Sequence, residues 1–282
     1  MFPQDFVQIS HQESNPDETI RSGIQESLLD SLSGALITDI YENIDGDFWL
    51  GTFYQGLYRI DGESGDYTHY FHDPEDSSSL SDDVINFIEP DPEGDLWIAT
   101  GGGLDRLNLV TNTFESFPRF EGKQVNSILF DYRGDMWVGA NEGLYRLYRD
   151  DDNELTSEFQ IIAPDNPYNP GVRTIFEDHS GSLWVVTYSD GVFVRNPGEE
   201  RFRNYAHDPD NPESLSGFSV FSVYQDARDE IWLGTFLGGL SHFNQETGTF
   251  TQFSSEDGLA GDWVSCIQSD DDGFLWLGTN YG

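Results

Sequence analysis

One phrase occurs six times in the chain, and no other feature limits the fold as strongly. Its second copy reads Asp91-Pro92-Glu93-Gly94-Asp95-Leu96-Trp97-Ile98-Ala99-Thr100, and the others cover residues 43–52, 131–140, 178–187, 226–235 and 270–279. Each copy opens on Asp or Asn, carries Gly at the fourth place in five of six cases, and places Trp at the seventh. The tryptophans stand at 49, 97, 137, 184, 232 and 276, so the period is 40–48 residues. A period of that length means supersecondary units stacked in an array, each burying its apolar face on the next.

Each unit reads as four short strands. The first follows apolar-x-x-apolar-x-x-Asp/Asn, as in Ile85, Ile88 and Asp91 or Val220, Val223 and Asp226. Asp and Gly then predict a tight hairpin, because Asp bonds its own backbone two residues on and Gly adopts positive φ freely. The second strand carries the Trp, the third starts at Gly56, Gly103, Gly143, Gly191 or Gly239, and the fourth is short and aromatic. In the third unit the fourth strand is expected over residues 158–162. Four antiparallel strands per 40–48 residues make a β-propeller blade. No helical period intervenes, which excludes a leucine-rich or helical solenoid. The Trp is expected between neighbouring blades, where its area counts most and its indole N–H can find a partner.

The expected class is therefore all-β, a propeller of four-stranded antiparallel blades, five complete and a sixth half present. The blades divide at 20–71, 72–117, 118–162, 163–205, 206–253 and 254–282. Residues 1–19 read as the last strand and loop of a preceding blade. Residues 20–34 could form a helical turn within an inter-blade loop. Strand 6–9 could close a ring by filling the outer place of the last blade. The simpler expectation is a fragment of a larger propeller of about seven blades.

Charge sets what can bind. The chain holds 13 basic and 52 acidic residues, a formal net charge of −39. Such a surface repels nucleic-acid phosphate and anionic lipid, so neither is an expected partner. The acids are spread along the whole chain, which suits a soluble surface adapted to high salt, where screening limits self-repulsion. Cys266 is the only cysteine, so no intramolecular disulfide can form. No signal peptide is visible in residues 1–20, and no apolar run is long enough for a membrane span, so no membrane contact by this segment is expected.

With these motifs laid out, the chain resembles the two-component regulator propeller family. The shared wording is Asp-x-x-Gly-x-Leu-Trp-Ile-Gly-Thr, then Gly-Gly-Leu-x-Arg-Leu, an aromatic strand, Asp-Pro and Ser-Leu-Ser. It is carried here by residues 91–107 and 226–243, with Asp73-Pro74, Ser79-Leu80-Ser81, Asp208-Pro209 and Ser214-Leu215-Ser216. The resemblance runs from about residue 30 to 282. It implies a periplasmic or extracellular sensing domain of a membrane-anchored, dimeric, often hybrid histidine kinase, commonly linked to carbohydrate or nutrient sensing. Among the departures from the wording, Ala227-Arg228-Asp229 lacks the turn Gly, and Val185-Val186-Thr187 lacks the Gly after Trp184.

Residues that repeat build blades, so function is expected where the copies differ, in the loops between second and third strands and at the starts of first strands. The candidates are Phe53, Tyr54, Gln55, Asn141, Glu142, Tyr188, Asp190, Phe236 and Tyr281 in the loops, with Gln124, Asn126, Arg173 and Trp263 beside them. Aromatic rings beside amides and carboxylates suit a carbohydrate-like or small polar ligand. No catalytic residue, metal or cofactor is assigned. His11, His72 and His207 share one repeat position and read as loop packing. Asp150-Asp151-Asp152 and Asp270-Asp271-Asp272 do not complete a calcium loop. The rival readings are a propeller lyase, which needs histidine and carboxylate on the loop face, and a protein-interaction scaffold.

Overall fold

The computed structural model describes Leu28 and residues 31–149, 155–164, 169–270 and 272–282. The expected strand 6–9, His11 and Asp150-Asp151-Asp152 lie outside the described residues. Of the expected 20–34 turn, Leu32 N–H donates to the Leu28 carbonyl at 2.8 Å, a helical bond. Among the described residues twenty-two strands form five four-stranded sheets and one two-stranded sheet, each a meander of consecutive strands. The chain divides into two compact units.

The unit Asn15–Gln160 holds three sheets. They are β1–β4 (Ile37–Glu42, Phe48–Thr52, Leu57–Ile60, Tyr67–Tyr70), β5–β8 (Ile85–Pro90, Leu96–Thr100, Leu104–Asn108, Thr113–Ser116) and β9–β12 (Val125–Phe130, Met136–Ala140, Gly143–Arg149, Leu155–Gln160). The unit containing Ile161–Gly282 holds β13–β16 (Val172–Glu177, Leu183–Thr187, Val192–Arg195, Arg203–Tyr205) and β17–β20 (Val220–Gln225, Ile231–Thr235, Leu240–Asn244, Thr249–Phe253). It also holds the pair β21–β22 (Val264–Ser269, Leu275–Thr279). One boundary differs from expectation: β12 starts at Leu155 and ends at Gln160. The reason is the seven-residue β11, whose ladder with β12 extends to the pair Arg149 and Leu155.

The turn Asp works harder than a hairpin alone requires. Asp178 Oδ1 accepts the backbone N–H groups of Ser180 and Ser182, both at 2.9 Å, and Oδ2 accepts the Trp184 indole N–H at 2.8 Å. The same division of labour holds for Asp91 with Trp97, Asp131 with Trp137, Asp226 with Trp232 and Asp270 with Trp276. Only a carboxylate offers two acceptor atoms to these donors. Where the turn Gly is missing, Asp229 takes its place at φ 63°, a conformation Asp tolerates better than most residues.

Four of the tryptophans pack on the next blade, as expected, whereas Trp276 is exposed. Trp49 lies in one cluster with Ile85, Ile88, Leu96 and Phe114, and Trp97 with Val125, Ile128, Val138 and Tyr145. In the other unit Trp184 packs with Val220, Leu233 and Phe243, and Trp232 with Val264 and Ile267. Three tryptophans also carry a cationic or imidazole partner on the third strand. Arg59 and Arg106 lie over the Trp49 and Trp97 rings and bond to turn carboxylates, and His242 lies against Trp232 and bonds to Glu230. Val186, which replaces the Gly found in four sister strands, is fully buried in the Trp184 cluster. At the equivalent Gly51 a Cβ would press on Ile85 of the next blade, so Gly there permits close approach and Val186 fills the gap itself.

Candidate functional site

The loops after the second strands are built by the Thr that ends the repeat. Thr52, Thr187 and Thr235 are fully buried, and their hydroxyls donate to the carbonyls of Gly56, Gly191 and Gly239 at 2.8–3.0 Å. The same oxygens accept N–H groups from within the loop, Gln55 at 2.9 Å and Asp190 at 3.1 Å. The closing Gly is obligatory. Its φ is +69° to +77° at the three positions, and a Cβ there would run into the carbonyl of Tyr70, Tyr205 or Phe253. A rigid frame thus presents loop residues that vary from blade to blade.

The first strands supply the other half. In every blade the pairing of first and second strand slips by one residue, as between Val172 and Thr174 or Val220 and Ser222. The skipped residues are Thr38, Asn86, Asn126, Arg173, Phe221 and Ser265. A bulge re-aims the side chain it carries, and here it turns the first two toward the neighbouring blade. Thr38 Oγ1 donates to the Ile85 carbonyl at 2.6 Å and Asn86 Nδ2 to the Val125 carbonyl at 2.7 Å.

In the unit containing Ile161–Gly282 the bulge column and the loops converge. The Arg173 guanidinium carbon sits 3.6 Å from the Phe221 ring centroid and 5.4 Å from that of Tyr188. Phe221 stacks on Phe236 at 5.9 Å, and Trp263 meets Phe221 at 5.6 Å and Phe236 at 5.1 Å, edge to face. Four expected site residues, Arg173, Tyr188, Phe236 and Trp263, therefore belong to one cluster. Phe221 completes it and was not anticipated, although it occupies the same register place as Asn126 and Arg173. Tyr188 and Phe236 remain exposed. The adjacent Leu237, also exposed, is held at φ +59°, a strained conformation for such a side chain. Burial pulls the Arg173 pKa below the usual arginine value, the charge of Tyr188 partly opposing this, and burial raises that of Tyr188.

The other candidates fall into separate groups. Phe53 and Tyr54 meet edge to face at 4.3 Å. Gln124, Asn126 and Asn141 form a closed ring of amides, each donating to the next at 3.0–3.1 Å. Glu142 is paired with Lys123. Asp190 accepts from Ser189 Oγ at 2.9 Å in the loop that carries Tyr188, and Tyr281 is exposed beside Gly261.

Two carboxylates without a sequence signal add an electrostatic feature. Glu89, on the first strand of its blade, is pushed up to about 7 by burial and by the nearby charge of Asp39. Asp39 is itself raised by burial, partly offset by the backbone N–H groups of Ile88 and Ile40. Among the histidines, His72 and His207 bond to the carbonyls of Leu80 and Leu215 at 2.6 and 2.7 Å, the loop-packing role expected of their shared position. His69 Nε2 is bonded to the Gln55 carbonyl and His179 to Asp229.

The comparisons with known proteins agree with this architecture. The model of the family "Two component regulator propeller" matches residues 79–102 and 258–281. Both matches cover the same part of a blade, from the inter-blade loop through the first two strands. Histidine kinase P4 of Formosa agariphila is 26% identical over 215 residues, covering 76% of this chain and 12% of that protein. The extracellular domain assigned to the hybrid two component system BT3049 from B. thetaiotaomicron superposes with a TM-score of 0.70 at 23% identity, over 87% of this chain and 32% of that one. A catalytically inactive virginiamycin B lyase from Staphylococcus aureus, crystallised with quinupristin, gives 0.62 at 13% identity, over 87% of this chain and 78% of that one. At these identities the two structures speak to the fold. The chain spans about an eighth of the kinase and a third of the first crystallised domain. Among the described residues no helix is long and apolar enough to cross a membrane.

Proposed function

We propose that this chain, a two-component regulator propeller, is the ligand-sensing part of a sensor of the histidine-kinase type. It binds a carbohydrate-like or other small polar ligand on the face formed by the second-to-third-strand loops and the bulged first strands. The observation that carries this reading is the convergence of Tyr188, Phe221, Phe236 and Trp263 around Arg173. Exposed aromatic faces stack on the C–H faces of sugar rings, and polar groups at their edges fix hydroxyls. The loops that present them are held by buried threonines, so little ordering entropy opposes binding.

In this reading the segment acts by binding and not by catalysis, and its full-length parent is membrane-anchored and dimeric, with the propeller periplasmic or extracellular. The family resemblance and the kinase relative support that assignment. The acidic surface suits work at high salt. Calorimetric titration with a panel of neutral and acidic oligosaccharides at high salt tests the reading. Binding that weakens about tenfold or more in Tyr188→Ala and Phe236→Ala is expected. Binding untouched by both substitutions, or none across the panel, refutes it.

A further inference from the structure

Arginine is scarce in this chain, and several arginines pair with carboxylates, whereas Arg173, like Arg119 over Tyr145, lies against aromatic rings. Arg59 bonds to Asp47, Arg106 to Asp91 and Glu93, and Arg146 to Asp135, while Arg203 and Arg228 bond to Glu199 and Asp226. In a chain of net charge −39 a carboxylate is rarely far away. Among the described residues, however, Arg173 has neither a carboxylate partner nor a hydrogen bond. Its contacts are the faces of Phe221 and Tyr188. Ring contacts hold the guanidinium by its faces and leave its in-plane N–H donors to point elsewhere. A second donor in the cluster is also unmatched, since the Trp263 indole nitrogen is buried without an acceptor. The Trp263 nitrogen is closed to solvent, so it is the guanidinium of Arg173 whose N–H donors ask the ligand for a negatively charged acceptor.

Resting on the function proposed above, we infer that the ligand carries an oxyanion, the carboxylate or sulfate of an acidic sugar, received by the N–H fork of Arg173. Phe221 and Tyr188 fix the plane of the fork, so two parallel N–H···O bonds can form without further ordering. No carboxylate among the described residues pairs with Arg173, which leaves the fork to the ligand. Phe236 and Trp263 then meet the apolar face of the same sugar.

The test is calorimetry on the intact chain with three trisaccharide probes: galacturonate, its neutral galactose counterpart and a sulfated galactose counterpart. At least one acidic probe should bind about ten- to a hundredfold more tightly than the neutral one, the range expected for a charge-assisted pair. The acidic probe that binds more tightly identifies the oxyanion. Arg173→Gln should remove that preference, and Arg173→Lys should restore part of it, because charge returns without the planar fork. Arg173→Met, which keeps the packing against the rings, should also lose the preference. Thermal unfolding of each variant confirms that it is folded. Equal affinity for neutral and acidic probes, or a preference that survives Arg173→Gln, overturns the inference while leaving the proposed function standing. No binding by any of the three overturns the inference, and silence across the whole oligosaccharide panel overturns the proposed function as well.

Discussion

Blade 1 contains a deliberate-looking exception whose energetic cost can be worked out. Five turns open on Asp and give Oδ1 to the backbone and Oδ2 to the Trp six residues on. The first opens on Asn43, whose Oδ1 accepts the N–H groups of Asp45 and Asp47 at 3.0 and 2.9 Å. Those two bonds fix the amide orientation and turn its N–H₂ toward the place where the sister carboxylates hold Oδ2. Trp49 Nε1 is accordingly buried without a partner. A buried unsatisfied donor costs about 1–3 kcal/mol. Asn43→Asp replaces that N–H₂ with an acceptor at nearly unchanged shape. The new charge lies near Asp45 and Asp47, but Arg59 is at hand, over the Trp49 ring and 2.7 Å from Asp47. The net gain should be about 1–2 kcal/mol, with the repulsion taken into account. Urea unfolding followed by tryptophan fluorescence measures it, and hydrogen exchange at the Trp49 indole reports the site itself. The mirror substitution, Asp178→Asn, keeps the turn acceptor and strands the Trp184 indole, so it should cost about 1–3 kcal/mol. A folded Asn43→Asp variant with no gain, together with an Asp178→Asn variant with no loss, would refute the two-oxygen account.

Further expectations follow from other sites. Glu89 has a folded pKa near 7, above its unfolded value. Its contribution is therefore fully present below about pH 4 and is lost as pH rises through 7. Glu89→Gln should remove on the order of 2 kcal/mol of that pH dependence, read as the difference between the two stability–pH curves from pH 4 to 8. Gly191→Ala should cost at least about 2 kcal/mol, since positive φ and the Tyr205 carbonyl both oppose the methyl, whereas Gly94→Ala, with open space around it, should cost only about 1 kcal/mol. Equal losses in chemical denaturation would show that the close approach is unimportant. Because self-repulsion at −39 is screened by salt, the melting temperature should rise between dilute and molar KCl, and a flat or falling trend would count against the salt-adapted surface.

What could be read from the sequence was what the chain encodes locally and repeats. Strand count and turn positions depend on residues within one blade, and six copies make both legible, together with the regular place of Trp. The second oxygen of the turn Asp was not legible, because alternation says nothing about which atom of a side chain faces which donor. The bulge in each first strand was also hidden, since the pattern of apolar residues around Arg173 or Phe221 continues across it. Hence Arg173 was anticipated as a candidate but its contact with Phe221, 48 residues away, was not. Glu89 and Asp39 carried no signal among 52 acids, and only burial in the folded chain distinguishes them. The amide ring of Gln124, Asn126 and Asn141 lies between these cases: its members were named, but their mutual bonding was not.

The hydrogen bonds that define the turn all close within a single blade. Its donors are two backbone amides and one indole of the same repeat, and its acceptor is the residue that opens that repeat. A gene segment encoding one such repeat can therefore be duplicated, lost or exchanged without leaving this polar motif half assembled. What changes at the junction is chiefly apolar coverage, which tolerates approximate shape better than a broken polar network does. Copies can also diverge singly, as Asn43 has done while the other five turns keep their carboxylate. Repeat number and ligand face are in that sense free to evolve separately from the fold that carries them.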